Sequence, residues 1–196
     1  MKNYIIMSHK FFSIFAAALV LLLAVFFTSC EKEDPNGISK TNVKATDFLN
    51  LYGKSANDVD AALVNFIIDK DNYNTDANPY WIITTKKNSL SLIIDGDEVF
   101  TTVTFKNNVC IDVSLLYNGV VSNGTTLANL KAAYGEGTKM GDNWFDWILI
   151  DNSRVSYFGT KLSSGRKSLL VYRKSASSAD APQKTMENAR KNVGLE

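Results

Sequence analysis

The sequence predicts an α+β fold in which two helix-plus-antiparallel-sheet units follow in tandem, with the helices packed on one sheet face. Three observations predict it. The hydrophobic period changes from 3.6 to 2 along residues 55–116, and the same change recurs along residues 126–173. Short turn signals separate the period-2 segments, which is typical of antiparallel hairpins. The two helix starts also resemble each other at a constant offset of 71 residues.

The first unit begins with an amphipathic helix from about Ser55 to Ile67. Ser55 suits the N-cap, because its hydroxyl accepts a hydrogen bond from a backbone N–H of the first turn. The apolar stripe of this helix consists of Val59, Ala62, Leu63 and Phe66. Strands are then predicted at Tyr80–Lys86, Leu90–Asp95, Glu98–Lys106 and Val109–Leu116. Their alternation of apolar and polar residues predicts one buried and one wetter sheet face.

The second unit repeats this order. A helix is predicted over about Thr126–Tyr134, followed by Gly135 as its stop signal. Strands follow at Trp144–Ile150, Arg154–Phe158 and Ser168–Arg173. Gly53–Leu63 aligns with Gly124–Tyr134, with one glycine and two alanines identical. The alignment predicts an internal repeat, 53–116 and 124–173. The alternative is the chance recurrence of a glycine, a cap and an Ala-Ala pair.

The chain divides into four segments by composition. Residues 1–29 read as a leader, because the 17-residue apolar run Phe11–Phe27 follows Lys2 and Lys10. Residues 30–44 are polar and are predicted to be a flexible tether. Residues 45–175 form the α+β domain, and residues 176–196 a small-residue linker and a C-terminal helix.

The leader ends in Thr28-Ser29-Cys30, and Glu31-Lys32-Glu33-Asp34 follows. The first motif resembles the lipobox of bacterial lipoproteins, whose cysteine is acylated and becomes the first mature residue. The acidic cluster resembles the surface-export signal of Bacteroidota lipoproteins. These resemblances imply lipidation (palmitate) of Cys30 and a place on the outer membrane, facing the periplasm or the cell surface. The alternatives are an uncleaved signal anchor, since a run of this length can also span a bilayer, and an unmodified cysteine in a secreted protein.

Residue counts exclude several chemistries. The single histidine, His9, lies in the leader, so a processed chain has no Ser-His-Asp triad, Cys-His pair or imidazole metal site. Cys110 is then the one remaining thiol and has no disulfide partner. Interleaved charges, 21 Lys and Arg against 20 Asp and Glu, argue against nucleic acid as a partner. We therefore predict no cofactor and no metal.

Three residues are candidate ligand contacts: Trp144, Trp81 and Asp146. Trp144 stands at a strand start, where an indole is placed to stack on a sugar or a partner side chain. Asp112 and Asp146 lie mid-strand and are the carboxylates considered for acid-base chemistry.

The order of helices and strands over about residues 45–173 resembles the beta-lactamase inhibitor protein fold and the small outer-membrane assembly lipoproteins related to it. That resemblance implies a protein-binding module. We predict a lipid-anchored, non-catalytic binding module of the bacterial envelope, held to the membrane by its anchor and binding an envelope protein or glycan. The alternatives are a carboxylate-dependent glycan hydrolase and a structural envelope lipoprotein.

Overall fold

The computed structural model describes residues 34–70, 79–87, 89–119, 123–161, 167–178 and 182–192. These residues form four helices and nine strands. The helices are α1 (Ala45–Leu49), α2 (Ala56–Ala62), α3 (Asn123–Tyr134) and α4 (Pro182–Asn192). The strands are β1 (Ile67–Asp69), β2 (Tyr80–Thr84), β3 (Leu92–Ile94), β4 (Asp97–Lys106), β5 (Val109–Asn118), β6 (Thr138–Gly141), β7 (Trp144–Ile148), β8 (Ser153–Lys161) and β9 (Lys167–Ser175).

All nine strands belong to one antiparallel sheet. Its order is β1-β2-β4-β5-β9-β8-β7-β6, with β3 paired to the start of β4. The α+β prediction of two tandem units is therefore wrong: this is a sheet-dominated β fold with short helices. The pairing of β5 with β9 joins strands β1–β5 to strands β6–β9 in this sheet. It runs from Asp112↔Lys174 to Asn118↔Ser168. Both strands carry apolar residues on both faces, so each must be flanked by strands and covered above and below.

Helices cover both faces of the sheet, which corrects the prediction that they pack on one face. The face covered by α1, α2 and α3, here called the first face, holds the larger apolar core, including Phe48, Val59, Leu115 and Leu130. The opposite face, the second face, carries a smaller cluster that includes Leu116 and Leu170. Helix α4 packs there through Met186 and Ala189, which are both buried.

The sequence missed two edge strands and the end of α2. Helix α2 ends at Ala62, where the predicted helix continued to Ile67, and β1 begins at that residue. The reason is that Leu63 and Phe66 stay buried although the backbone between them turns, so helical spacing outlasts the helix. Strand β6 was not predicted because its side chains are mostly exposed, so buried and exposed residues do not alternate along it.

The segment 34–44, assigned to the tether from sequence, lies against the domain. The Ile38 amide donates to the Ala62 carbonyl at 2.7 Å, and Val43 is buried. The leader at 1–29 and Cys30 lie outside the described residues. None of the helices in the described ranges combines the length and the apolar character of a membrane span.

Candidate functional site

Two rows of largely polar side chains cross the middle of the second face. They arise because paired strands in register place one side chain of each strand side by side. The first row consists of Thr102, Ser114, Tyr172, Ser156 and Asp146. The second row consists of Thr104, Asp112, Lys174 and Arg154. We call these the polar rows. Burying polar groups costs free energy unless they are hydrogen-bonded, so their partners decide what the rows do.

At one end of the first row, Asp146 is hydrogen-bonded to two neighbours. Its Oδ1 accepts from the Trp144 indole N–H at 2.9 Å and from the Ser156 hydroxyl at 2.6 Å. The carboxylate is buried, with 9% of the residue exposed. The Trp144 ring meets Phe158 edge-on, with ring centres 5.9 Å apart. Two of the three sequence-predicted ligand contacts, Trp144 and Asp146, therefore lie together and bind each other.

Tyr172 occupies the centre of the first row and is fully buried. Two cations of the second row approach its ring: Lys174 Nζ lies 4.8 Å and Arg154 Cζ 6.0 Å from the ring centre. Burial raises the pKa of the Tyr172 hydroxyl, so the side chain stays neutral and offers the cations an uncharged aromatic face.

A pocket of 470 Å³ opens between the polar rows and α4. Lys174 is 5% exposed, and its ammonium donates to the Thr185 hydroxyl of α4 at 2.8 Å. The Ser114 hydroxyl donates to Asp112 Oδ1 at 2.7 Å. Among the residues that line the pocket are Thr102, Thr104, Asp112, Ser114, Lys174, Ser175, Ser178, Thr185 and Asn188. The lining offers hydroxyls, one amide, one carboxylate and one ammonium, with Ile111 and Ala189 as its apolar members. The polar groups suit a ligand rich in both donors and acceptors.

Trp81 lies elsewhere. It belongs to β2 and packs on the core of the first face, where its ring contacts Phe105 with 4.3 Å between ring centres. The Lys70 ammonium lies 4.5 Å from the centre of the indole ring. The structure therefore does not bring Trp81 to the site of Trp144 and Asp146.

Asp112 and Asp146 lie on the same face but well apart. Strands β9 and β8 stand between β5 and β7. Three strand-to-strand steps of about 4.8 Å separate the backbones of the two residues by about 14 Å. Carboxylate pairs of glycoside hydrolases stand about 5–9.5 Å apart. These two carboxylates therefore do not form the pair that the hydrolase alternative needs.

Sequence reasoning singled out Asp112 but missed Lys174, Ser114 and Thr185. The available signal was a polar residue at an alternate position of an otherwise apolar strand, such as Ser114 between Val113 and Leu115. Within the described part of the chain, no three His, Cys, Asp or Glu side chains are grouped to hold a metal ion. No protein-family model, curated protein or solved structure matches this chain.

Proposed function

We propose that this chain is a lipid-anchored, non-catalytic binding module of the bacterial envelope that holds a segment of glycan in the pocket beneath α4. The observation that carries the ligand proposal is a hydroxyl-lined pocket with Asp112 and the buried Lys174 in its wall. Its volume of 470 Å³ falls within the range of small-molecule sites, about 300–1,000 Å³.

The pocket chemistry favours a sugar over a protein surface. Sugar hydroxyls both donate and accept hydrogen bonds, as do the serine and threonine hydroxyls of the lining. Asp112 accepts from sugar hydroxyls, while Lys174 donates to ring or hydroxyl oxygens. A protein interface usually has a desolvated core rich in aromatic residues with few charges. The wall of this pocket instead combines hydroxyls with a carboxylate and an ammonium.

The anchor proposal rests on the lipobox-like end of the leader. Acyl chains contribute about 0.8 kcal/mol per buried CH₂, and more than one chain is needed for stable attachment to a membrane. Mass spectrometry of the N-terminal peptide from native envelope tests this directly. We expect a peptide that begins at Cys30 and carries an acyl mass. An intact leader with an unmodified sulfur would overturn the anchor.

Binding is tested with the full chain purified in detergent from its host membrane. The probes are defined neutral and acidic oligosaccharides printed as an array, and each hit is titrated by calorimetry. We expect Asp112→Asn to weaken binding at least about tenfold, since one charge-assisted hydrogen bond contributes roughly 1.5–3 kcal/mol. Lys184→Ala, on the exposed side of α4, is the matched control.

Three outcomes contradict the proposed function in different ways. A wild-type chain that binds none of the oligosaccharides would favour a structural envelope lipoprotein. Equal binding by Asp112→Asn would place the ligand outside this pocket. Release of new reducing ends from a bound glycan would show a hydrolase, and the non-catalytic proposal would fall.

A further inference from the structure

The chain joins the domain at a fixed point beside α2. The Asp34 amide donates to Asn65 Oδ1 at 2.6 Å. The Asn65 amide group donates in turn to the carbonyls of Asp34 and Ile38, each at 3.0 Å. Asn65 is 9% exposed, so these bonds are shielded from water. The surface around Asn65 is therefore tied to Asp34, the first described residue.

Four residue-to-residue steps separate Cys30 from Asp34. A chain of that length spans at most about 14 Å when fully extended. An acylated Cys30 lies at the membrane surface, because its acyl chains enter the bilayer. If Cys30 is acylated as proposed above, Asp34 stays within that reach of the bilayer, and the domain surface bonded to Asp34 through Asn65 is held beside it.

This surface exposes three aliphatic side chains: Val64 is 52% exposed, Ile67 42% and Leu90 39%. Two exposed lysines, Lys86 and Lys87, precede Leu90 in the chain. Ile67, Lys87 and Leu90 line one shallow groove of 360 Å³, whose wall also holds Asp69 and Lys70. We call the three aliphatic residues, Lys86 and Lys87 the anchor-side patch. Aliphatic side chains beside lysines are the composition of a surface that enters the headgroup region of an anionic membrane.

We propose that the anchor-side patch lies on the bilayer, with its aliphatic side chains among the headgroups and its lysines on anionic phospholipid. This inference rests on the lipid anchor of the proposed function and adds an orientation to it. Strand β1, at one edge of the sheet, faces the membrane. Strands β6 and β7, at the other end of the strand order, are turned away from it.

Spin labels measure this orientation in the intact lipoprotein. A Cys110→Ser background leaves no free thiol once Cys30 is acylated, so a label reports only the cysteine introduced. Labels at Val64→Cys and Ile67→Cys are compared with Ile148→Cys, a 64% exposed position in β7. The protein is reconstituted in vesicles of phosphatidylethanolamine and phosphatidylglycerol. At the two patch positions, we expect the label to be more accessible to oxygen and less accessible to the nickel chelate than it is in water. At position 148, we expect the ratio of the two accessibilities to be that of a label in water.

Charge reversal tests the lipid chemistry without the anchor. The proposed mature chain, residues 30–196 with Cys30→Ser, lacks both the apolar run Phe11–Phe27 and the acylated sulfur. It is mixed with the same vesicles, and the bound fraction is measured by sedimentation. Lys86→Glu and Lys87→Glu should each weaken partitioning by at least about fivefold, since a lysine near an anionic surface contributes on the order of 1 kcal/mol. Lys139→Glu, an exposed lysine of β6, is the control and should change it far less.

The failures are distinguishable. An acylated protein whose three labels are equally accessible to nickel chelate would overturn the orientation and leave the anchor standing. The same partitioning into vesicles of phosphatidylcholine alone would overturn the role of anionic lipid. Absence of an acyl mass on Cys30 would overturn both the anchor and this inference, while the glycan titration would remain a separate test of the pocket.

Discussion

The two faces of the sheet are built from the same strands, but the first holds the larger apolar core, whereas the second combines a smaller apolar cluster with rows of polar side chains. In β5, Val113, Leu115 and Tyr117 are buried in the apolar core of the first face. The intervening Asp112 and Ser114 belong to the polar rows of the second face. Three helices cover the first face, whereas α4 covers the second mainly through small or flexible side chains. We infer that the first face supplies most of the stability, which leaves the second face room for polar groups and a pocket.

The largest loss of stability is expected from a substitution at Leu115, which is fully buried on the first face. We expect Leu115→Ala to lower the free energy of unfolding by about 3 kcal/mol, since it removes apolar contacts and leaves a cavity. The adjacent Ser114→Ala, on the second face, should cost only about 1 kcal/mol, the worth of one hydrogen bond. Urea unfolding measures both. Equal losses would mean that the two faces contribute alike.

The next largest effect is expected at Asp146. Asp146→Ala removes the acceptor of both the Trp144 and Ser156 hydrogen bonds and leaves two donors unsatisfied. We expect a loss of about 2 kcal/mol in urea unfolding, because a buried donor without a partner costs roughly 1–3 kcal/mol. Asp142→Ala removes a fully exposed carboxylate and is the control, with no measurable change expected. If Asp146→Ala also left the free energy of unfolding unchanged, the hydrogen bonds of Asp146 to Trp144 and Ser156 would not stabilise the fold, and a ligand-binding role for Asp146 would gain support.

The sequence predicted the strands well because alternation is a local signal. The pattern of Val109–Leu116 is enough to recognise β5 and to sort its side chains from Asp112 onward onto two faces. A bulge at Ile111 breaks the alternation before that point, so Cys110 lies in the core of the first face and Ile111 lines the pocket of the second. The pattern carries no information about which strand pairs with β5. The β5–β9 pairing joins 112–118 with 168–174, and that distant pairing turned two expected units into one sheet.

The candidate site was predictable to the same extent. Trp144 and Asp146 stand two residues apart on one strand, so alternation placed them on one face. The pocket required knowledge of where α4 docks. The apolar stripe of α4 consists chiefly of Met186 and Ala189, which is too little to predict from sequence which face of the sheet the helix covers. The contact between Lys174 and Thr185 therefore had no sequence signal.

The apolar character of the first face also predicts a dependence on pH. Burial, with a smaller contribution from Asp112, raises the pKa of Cys110 from 9.0 to about 12. The unfolded chain releases this proton near pH 9 while the folded chain keeps it, so stability is complete below about pH 9 and falls as pH rises towards 12. At about pH 10 the loss from this group is about 1.4 kcal/mol.

Cys110→Ala isolates that contribution. Urea unfolding at about pH 8 and about pH 10 should show a smaller loss for Cys110→Ala than for the wild type, by about 1.4 kcal/mol. The buried tyrosines, including Tyr117, have raised pKa values that act in the same direction, and they remain in both proteins. Identical losses in the two proteins would mean that Cys110 is more accessible to water than the structure indicates.

The finest test replaces one threonine on each side of the sheet by the isosteric valine. On the second face, the Thr185 hydroxyl accepts from the buried Lys174 ammonium. On the first face, the hydroxyl of Thr101 is fully buried and has no hydrogen-bond partner among the described residues. Thr185→Val should destabilise the protein by about 1 kcal/mol, whereas Thr101→Val should stabilise it by up to about 1 kcal/mol, because an unsatisfied hydroxyl gives way to a methyl group.

Opposite signs for the same chemical change would establish that the faces differ in what they tolerate, since volume and shape are matched. Unfolding midpoints in urea give both values, and hydrogen exchange of α4 amides shows whether Thr185→Val acts by loosening that helix. A stabilising Thr185→Val would contradict the polar docking of α4. A destabilising Thr101→Val would mean that this hydroxyl makes a bond, and that the first face is less dry than the packing of its helices implies.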